Sequence, residues 1–472
     1  MNFTKLLAAL FLIAGLGVVS CTSDDEVTDP CDGVTCATGE TCVDGNCVAD
    51  NACDGVTCDA GEECIDGDCI EIVTSVTGDV TGAVTWTADQ IWVLEGKVVV
   101  RDGATLTIEP GTIVKGAEGA EALASALVVA RGGMLIADGT ATQPIIFTTI
   151  LDNIKVGETA GTNLTELDNE KWGGVIILGN APISAKDGDT EANIEGIPAN
   201  DEYGKFGGDD PADDSGSLKY VSIRHGGVTI GEGNEINGLT LGGVGTGTTI
   251  DNIEIFGTLD DGVEYFGGTV NSTNILVTYQ GDDGIDLDMN YSGTIDNFVV
   301  LHGGSDTDEA LEIDGPEGST HTDGLFTLRN GTLIAVDTEK TSGADLKSKA
   351  QGNINKCVWK GYDKHVKVRA SYVDGTCDDK SDAWTNVNTG ALLIAMCEVE
   401  GTIGAAEVAR VYVDDEDING IACLGTQSAA KEMVVDDMVA ANSNAVVAAG
   451  AATEGADESV FSWTITVANG LL

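Results

Sequence analysis

Three consecutive stretches of similar sequence decide the fold: DNIEIFGTLDDGVEYFGG at 251–268, TNILVTYQGDDGIDLDMN at 273–290 and DNFVVLHGGSDTDEALEIDG at 296–315. Their shared asparagine recurs at intervals of 22 and 23 residues, at Asn252, Asn274 and Asn297. A repeat this short cannot bury its own apolar face, so successive copies are expected to stack into a solenoid. Each copy holds two short runs of alternating apolar and polar residues, with Gly and Asp between them and no helix-forming stretch. The repeat therefore predicts one coil of a β-helix.

Similar alternation continues through residues 70–472 without a Pro/Ser-rich linker, which predicts one continuous domain. The period-two pairs expected to point inward are Val98 and Val100, Leu106 and Ile108, Leu127 and Val129, and Ile145 and Phe147. Two Asp/Gly/Asn-rich stretches, 151–171 and 184–217, interrupt the pattern and are expected to be loops off one face, where solenoids place binding elements. Residues 430–450 have the composition of a short helix or irregular cap that would cover the last coil.

Several longer strings carry a resemblance to a known group of proteins: WGGVIILG, IRHGG, NGLTLGGVG, DDGVEYFGG, QGDDGID and the terminal FSWTITVANGLL. They resemble strings found in right-handed parallel β-helix surface lipoproteins of the Bacteroidetes type, which have a pectate lyase-like superfold. The resemblance extends over most of the chain. It implies an all-β protein whose residues 70–472 form a right-handed parallel β-helix, and it implies no particular reaction.

The N-terminus is typical of an exported protein. Residues 1–21 contain Lys5 and then an apolar run that is too short for a membrane-spanning helix. Cys21 follows Val-Val-Ser, which resembles the lipobox of bacterial lipoproteins and implies that Cys21 is lipidated; the alternative is an ordinary cleaved signal peptide. The acidic residues within 22–30 resemble a surface-export tether, so we expect the chain to be lipid-anchored in an outer membrane and to face the cell exterior.

Residues 31–69 hold two copies of the pattern C-x4-C-x5-C-x4-C. The cysteines are Cys31, Cys36, Cys42 and Cys47, then Cys53, Cys58, Cys64 and Cys69. In an exported chain this spacing predicts two small disulfide-stapled modules, which resemble truncated EGF-like modules. Three pairings are open within each module, and a zinc site is disfavoured because the segment has no His. Four later cysteines, Cys357, Cys377, Cys397 and Cys423, favour two further disulfides between late coils, with the pairing open.

The chain is strongly acidic, with 78 Asp and Glu against 23 Lys and Arg and a formal net charge of −55. This charge repels nucleic acids and anionic lipid surfaces, which are therefore excluded as partners. Solubility in a salty or calcium-rich habitat and the binding of divalent cations both explain the excess, and the two explanations are compatible.

Stacking of the repeats predicts columns of carboxylates. Glu264, Asp286 and Glu312 are expected to point outward in one column, about 4.8 Å apart from coil to coil. Two corner columns are expected beside it, Asp260, Asp282 and Asp308, and Asp261, Asp283 and Glu309. Such carboxylates repel one another unless protons or a cation intervene, and oxygen ligands without His or Cys favour Ca²⁺. The alternative is that each corner Asp accepts hydrogen bonds from turn amides.

A basic cluster follows the acidic coils: Lys347, Lys349, Lys360, Lys364, His365, Lys367 and Arg369. Lys367 and Arg369 flank Val368, which is expected to point inward, so both should point outward. This cluster either contacts the carboxylates of an acidic polysaccharide or neutralises the neighbouring acidic coils.

The order of LDDGVEY, QGDDGIDL, LHGGS and KHVKVRA is also similar to that of motifs in the polygalacturonases, family 28 of the glycoside hydrolases. This resemblance implies the following candidates: Asp261, Asp282 and Asp283 as acid and base, His302 as an auxiliary histidine, and Lys367 and Arg369 as subsite cations. An inverting pair of carboxylates would need room for a water between them. The chain departs from the family pattern in lacking the Asn-Thr of the first motif, in reading Leu-His-Gly-Gly, and in reading Val-Lys-Val-Arg.

Three functions remain open from the sequence. The leading one is a non-catalytic binding or adhesion module for polysaccharide or a surface protein; the others are a polyuronate-active hydrolase or lyase and a structural envelope protein. His225, in the string SIRHGG, is expected to be a core or turn histidine.

Overall fold

The computed structural model describes residues 29–37, 39–49, 53, 55–119, 123–198, 200–231, 234–304, 307–336, 342–362, 364–372, 379–399, 409–412, 432–434 and 455–472. They belong to two compact units, one within Met1–Thr57 and Cys64–Cys69, the other within Cys58–Glu63 and Ile70–Leu472. In the described part of the chain, no helix has the length and apolar character needed to cross a membrane. Cys21 and the tether up to residue 28 lie outside the described residues, so their predicted roles stay predictions.

The cysteine-rich segment forms two small hairpins. Antiparallel pairs join β1 (Glu40–Val43) to β2 (Asn46–Ala49) and β3 (Glu62–Ile65) to β4 (Asp68–Glu71). Disulfides join Cys31 to Cys42, Cys36 to Cys47 and Cys53 to Cys64, and Cys58 and Cys69 are disulfide-bonded too. Of the three pairings that the sequence leaves open, the first module uses first-to-third and second-to-fourth. Such bridges stabilise hairpins too small to have a hydrophobic core.

The second unit is built from short strands. Its first part contains β5 (Val73–Val80), β6 (Ala83–Trp86), β7 (Ile91–Val100), β8 (Thr105–Ile108), β9 (Ile113–Gly116), β10 (Ala126–Val129), β11 (Met134–Asp138), β12 (Ile145–Thr149) and β13 (Val175–Leu178). Its middle part contains β14 (Ala192–Asn193), β15 (Lys205–Phe206), β16 (Gly216–Arg224), β17 (Thr229–Gly231), β18 (Asn234–Glu235), β19 (Leu239–Gly242), β20 (Thr249–Phe256), β21 (Val263–Phe266), β22 (Asn271–Thr278), β23 (Ile285–Asp288), β24 (Thr294–Gly303) and β25 (Leu311–Ile313). Its last part contains β26 (Phe326–Val336), β27 (Ser342–Leu346), β28 (Gly352–Asn355), β29 (Val358–Lys360), β30 (Lys364–Tyr372), β31 (Asp379–Asp382), β32 (Leu392–Ala395), β33 (Glu398–Val399), β34 (Ala409–Tyr412) and β35 (Glu432–Val434), with helices α1 (Trp384–Thr389) and α2 (Ile465–Ala468).

Strands of successive coils pair in parallel, which makes this unit a parallel β-helix. Thus β19 pairs with β21, β21 with β23, and β23 with β25, while β20, β22, β24 and β26 form a second parallel ladder. The inward pairs predicted from period-two alternation all lie in one core with at most 1 % exposure. Stacked aliphatic rows of this kind bury each coil against its neighbours, which a single coil cannot do for itself.

The recurring asparagine marks a sharp corner in each coil. Asn252, Asn274, Asn297 and Asn330 have φ angles of 57°, 59°, 61° and 56°. This left-handed conformation is unfavourable for most side chains and is tolerated by Asn, which explains the residue type. Asn297 Nδ2 donates to Asn274 Oδ1 at 2.7 Å, and Asn274 Nδ2 donates to Asp251 Oδ1 at 2.9 Å. The 22- and 23-residue period of the sequence is therefore the spacing of a hydrogen-bonded corner column.

The two insertions cover different parts of the β-helix, whereas the sequence analysis placed them on one face. In the first, Glu170 N and Lys171 N donate to Gly226 O and His225 O at a corner. In the second, apolar residues of 183–206 pack on the outer side of β10, β13 and β21, and Phe206 contacts Phe266 with ring centroids 5.9 Å apart. The two insertions lie on different parts of the surface because each packs on the apolar outer residues close to the point where it leaves the β-helix.

The C-terminal segment covers another outer stripe of the β-helix. Phe461 packs on Leu276, Val299 and Leu301. Most of the cap predicted at 430–450 lies outside the described residues; within it, β35 pairs antiparallel with β34. The described C-terminal residues 455–472 thus seal the outer surface of a ladder of strands.

Candidate functional site

The predicted column of carboxylates is confirmed by the register of the strands. Glu264 pairs with Asp286 and Asp286 with Glu312. The column continues through Asp345 to Lys367, two coils further along. Lys367 was expected to point outward, whereas Asp345 was not predicted, because residues 342–346 do not repeat the Gly-Asp pattern of the earlier corners. One outer row therefore changes from acidic to basic along the solenoid.

The upstream part of this row is covered, which differs from the expectation of an open outward-facing column. Only 6 % of Glu264 is exposed, since the insertion that carries Phe206 packs beside it. Two further acids come close: Glu195 from the insertion and Glu235 from β18 both interact electrostatically with Asp260. The sequence analysis missed Glu195 and Glu235 because they lie outside the repeats, and no periodic signal points to them.

The corner aspartates hold successive coils together. Asp261 Oδ1 accepts from Asp283 N at 2.9 Å, and Asp283 Oδ1 accepts from Glu309 N at 2.6 Å. The alternative predicted that each corner Asp accepts amides of its own turn, whereas the Oδ1 atoms of Asp261 and Asp283 accept amides of the next coil. Each of these two carboxylates keeps a second oxygen for another contact.

Carboxylate oxygens converge in three groups whose members lie within 4.8 Å of one another. The groups are Asp260, Asp261 and Asp282; Asp261, Glu264 and Asp286; and Asp283, Glu309 and Glu312. Asn237, which is 1 % exposed, donates from Nδ2 to Glu264 at 2.6 Å. Asn237 Oδ1 and Asp286 Oδ1 are buried and accept no hydrogen bond from the described residues. Carboxylate and amide oxygens together form the ligand set that Ca²⁺ prefers.

Burial makes these carboxylates hard to ionise. It is the main cause that raises the pKa values of Asp260, Asp288 and Glu312 to about 7. Burial and then neighbouring carboxylates raise the pKa values of Asp261, Glu264, Asp283 and Asp286 well above their ordinary range. At neutral pH the cluster therefore takes up protons or a cation to offset its mutual repulsion.

Three of the seven basic residues, Lys347, Lys367 and Arg369, are paired with the downstream acids, and Lys360 lies 3.6 Å from Glu458. Lys347 contacts Glu312, and Lys367 contacts Glu309 and lies 3.6 Å from Asp345. Arg369 Nε donates to both oxygens of Asp345 at 2.9 Å. Side-chain exposure of Asp345 and Glu309 is only 2 %, so these cations neutralise buried charges. The geometry supports the neutralisation interpretation of the basic cluster.

The remaining candidates lie apart from the acidic row. His302 is on β24 and fully buried; its Nδ1 lies 3.1 Å from the Tyr362 hydroxyl, and burial lowers its pKa to about 4. His225 is a buried corner residue with a φ of 60°, its Nδ1 lying 2.6 Å from Asp168 O. Asp261 and Asp282 share one of the three groups of acids, and Asp283 belongs to another, although its backbone N donates to Asp261. His302 is a core residue outside all three groups.

Comparison with known proteins gives one family. The model of the pectate-lyase-like beta-helix domain matches residues 78–430. No curated protein and no solved structure matches the chain. The family match supports a polysaccharide-related module, and it agrees with the parallel ladders and the inward rows described above. The chain therefore belongs to the pectate-lyase-like beta-helix domain family, as a right-handed parallel β-helix preceded by two disulfide-rich modules.

Proposed function

We propose that this protein is a surface-anchored lipoprotein whose β-helix binds polysaccharide without cleaving it. One observation carries the choice between binding and catalysis: two of the three candidate carboxylates and both candidate cations of a polygalacturonase-like reaction are engaged in contacts between coils. Asp261 and Asp283 each accept a backbone amide of the following coil. Lys367 and Arg369 are paired with Asp345. The side chains that stay partly exposed there, Glu312, Lys367 and Arg369, are the ones left to contact an extended chain.

Calcium is part of this proposal. The cation would be held by Glu264 and Asp286 with the amide oxygen of Asn237, near Asp261, and Glu312 belongs to the neighbouring group. Hard oxygen ligands and a large local excess of negative charge favour Ca²⁺ over transition metals. A cation there would remove the repulsion that now raises the pKa values of these carboxylates.

A polyuronate-active hydrolase or lyase is the second candidate. It is favoured by the proximity of Asp260, Asp261 and Asp282, whose raised pKa values suit an acid that must hold a proton near neutral pH. The acid and the base would then come from Asp260, Asp261 and Asp282.

The experiment uses the whole mature chain, made soluble by the Cys21→Ser substitution. It is incubated with a panel of neutral and acidic polysaccharides in calcium, and retention, new reducing ends and unsaturated product are measured together. Retention without new ends supports the binding module. Product that disappears in Asp282→Asn supports the enzyme, with Asp209→Asn, an exposed acid of the second insertion, as the matched control. Neither signal on any glycan would leave a protein partner or a structural envelope role.

The anchor is tested separately. The lipobox-like sequence before Cys21 and the acidic tether support a lipid-anchored protein on the outer membrane that faces the exterior. Wild type should fractionate with membranes and be cleaved when protease is added to intact cells. A Cys21→Ser variant that stays with the membranes would refute the anchor, and protection of the wild type in intact cells would refute the outward orientation.

A further inference from the structure

Two cysteines occupy equivalent positions on successive coils near the basic end of the β-helix. Lys356 N donates to Ala395 O at 3.0 Å, and Glu398 N donates to Cys357 O at 2.9 Å. This register sets Cys357 beside Cys397, between the parallel pairs β28–β32 and β29–β33. Both side chains are 0 % exposed members of the core, and their thiols are in contact.

Their surroundings restrict what this pair can do. The other sulfur contacts are to backbone carbonyls: Cys357 Sγ lies 3.5 Å from Asn355 O, and Cys397 Sγ lies 3.4 Å from Ala395 O. Among the described His, Asp, Glu and Cys residues, no group with metal-binding spacing includes either sulfur. Two adjacent thiols without further ligands can be oxidised to a disulfide.

The backbone distance is suitable for that bond. Neighbouring parallel strands lie about 4.8 Å apart, and disulfides form at Cα separations of about 4.4–6.8 Å. The N-terminal modules of the same chain are disulfide-bonded, so the chain is matched to a compartment in which such bonds form.

We propose that Cys357 and Cys397 form a disulfide that staples two successive coils. The oxidant is a disulfide carrier, either an oxidised dithiol protein or a small-molecule disulfide. The thiolate of one cysteine attacks a carrier sulfur and displaces the other carrier sulfur as a thiolate. The second cysteine thiolate then attacks the chain sulfur of the mixed disulfide and releases the carrier. Two chain thiols and one carrier disulfide become one chain disulfide and two carrier thiols, so atoms and electrons balance.

Burial decides when the bond forms. It raises the pKa of the Cys357 thiol well above its ordinary value and so keeps the thiol protonated and unreactive in the folded protein. The disulfide therefore closes while the late coils assemble, and afterwards it resists mild reductant. The segment between the two cysteines carries Lys367 and Arg369, so the staple fixes the strand that neutralises Glu309 and Asp345.

The test is peptide mapping of the full mature chain exported to an oxidising compartment. The protein is denatured and alkylated before and after reduction. We expect the peptides that contain Cys357 and Cys397 to be linked and lighter by two hydrogens, with neither cysteine alkylated until reduction. In the Cys397→Ser variant, Cys357 should be alkylated without reduction. Alkylation of both cysteines in unreduced wild type, or linkage of either one to Cys377 or Cys423, would overturn the proposal.

A second measurement separates this staple from the N-terminal bridges. The melting temperature of wild type and of a Cys357→Ala/Cys397→Ala double variant is measured with and without strong reductant. Both proteins lose the N-terminal disulfides on reduction, so the staple predicts a larger decrease in wild type. Equal decreases would contradict it. If the double variant does not fold, the peptide map of wild type decides the question alone.

Discussion

Asp288→Asn should stabilise the protein at alkaline pH when cations are removed. Asp288 follows the acidic row on β23, near Asp314 and Glu317, and burial and then these two neighbours raise its pKa from the ordinary 3.8 to about 7. This rise corresponds to about 4 kcal/mol between the two protonation states. Asp288 is partly exposed, and solvent screening reduces the expected effect to about 2 kcal/mol.

The sign follows from proton linkage. Because the pKa of Asp288 is higher in the folded than in the unfolded chain, the folded state holds the proton more tightly. The stability that the protonated Asp288 contributes is complete below the unfolded pKa and is lost as the pH rises through the folded pKa of about 7. Asparagine carries no charge, so the variant should match wild type below about pH 3.8 and exceed it by about 2 kcal/mol near pH 8.

The assay is denaturant unfolding, followed by tryptophan fluorescence, in chelator across this pH range. Asp209→Asn, which removes an exposed acid, is the matched control and should show no pH-dependent difference. Calcium in excess should stabilise wild type by ~2.7 kcal/mol at a hundredfold excess over Kd, and the variant, which keeps Glu264, Asp286 and Asn237, should gain a similar amount. A variant that is no more stable than wild type at pH 8 in chelator, or a difference independent of pH, would refute the reasoning.

Two further substitutions test other parts of the structure. The Glu254 carboxylate is fully buried and accepts hydrogen bonds from Ser222 Oγ at 2.6 Å, Thr466 N at 2.9 Å and Thr466 Oγ1 at 2.8 Å. In Glu254→Gln, one of the two accepting oxygens becomes an NH₂ group, which faces these donors and cannot accept from them. We expect a loss of about 3 kcal/mol and earlier proteolysis of the C-terminal segment; an unchanged cleavage rate would contradict this anchoring role. Asn297 has a φ of 61°, so Asn297→Val should cost about 1–2 kcal/mol more in unfolding free energy than Asn297→Gly, which loses the same side-chain hydrogen bonds. Equal costs would show that the left-handed corner is not what selects asparagine.

The repeat predicted the coil and the column because both depend on spacing alone. Once Asn252 and Asn274 occupy the same corner, Glu264 must stack on Asp286, because each lies 12 residues after its asparagine. The third copy has three more residues between Asn297 and Glu312, and Glu312 still pairs with Asp286. Period-two alternation then separates inward from outward side chains. These rules need no knowledge of what packs against the outer side of the coil.

The burial of the column could not be predicted in this way. It depends on the insertion that carries Glu195 and Phe206 and on the hairpin that carries Glu235, and none of these belongs to the repeat. The sequence also left the disulfide pairing in the N-terminal modules open, because all three pairings are compatible with the spacing of the four cysteines in each module. The sequence favoured disulfides among the four late cysteines but left their pairing open, and the structure brings Cys357 and Cys397 together as adjacent free thiols.

The two halves of the charged row differ in whether basic side chains of the protein neutralise their carboxylates. Downstream, Glu309, Glu312 and Asp345 are each in contact with Lys or Arg, so that half is electrically satisfied by the chain itself. Upstream, within the described residues, no ion pair involves Glu264 or Asp286, although Asp261 and Asn237 crowd the same space. A buried acidic group without a cationic partner is costly unless protons or an external cation join it. Dependence on calcium should therefore be confined to the upstream half. Dependence on pH should extend to Glu312, because its pKa is raised to about 7 despite its contact with Lys347.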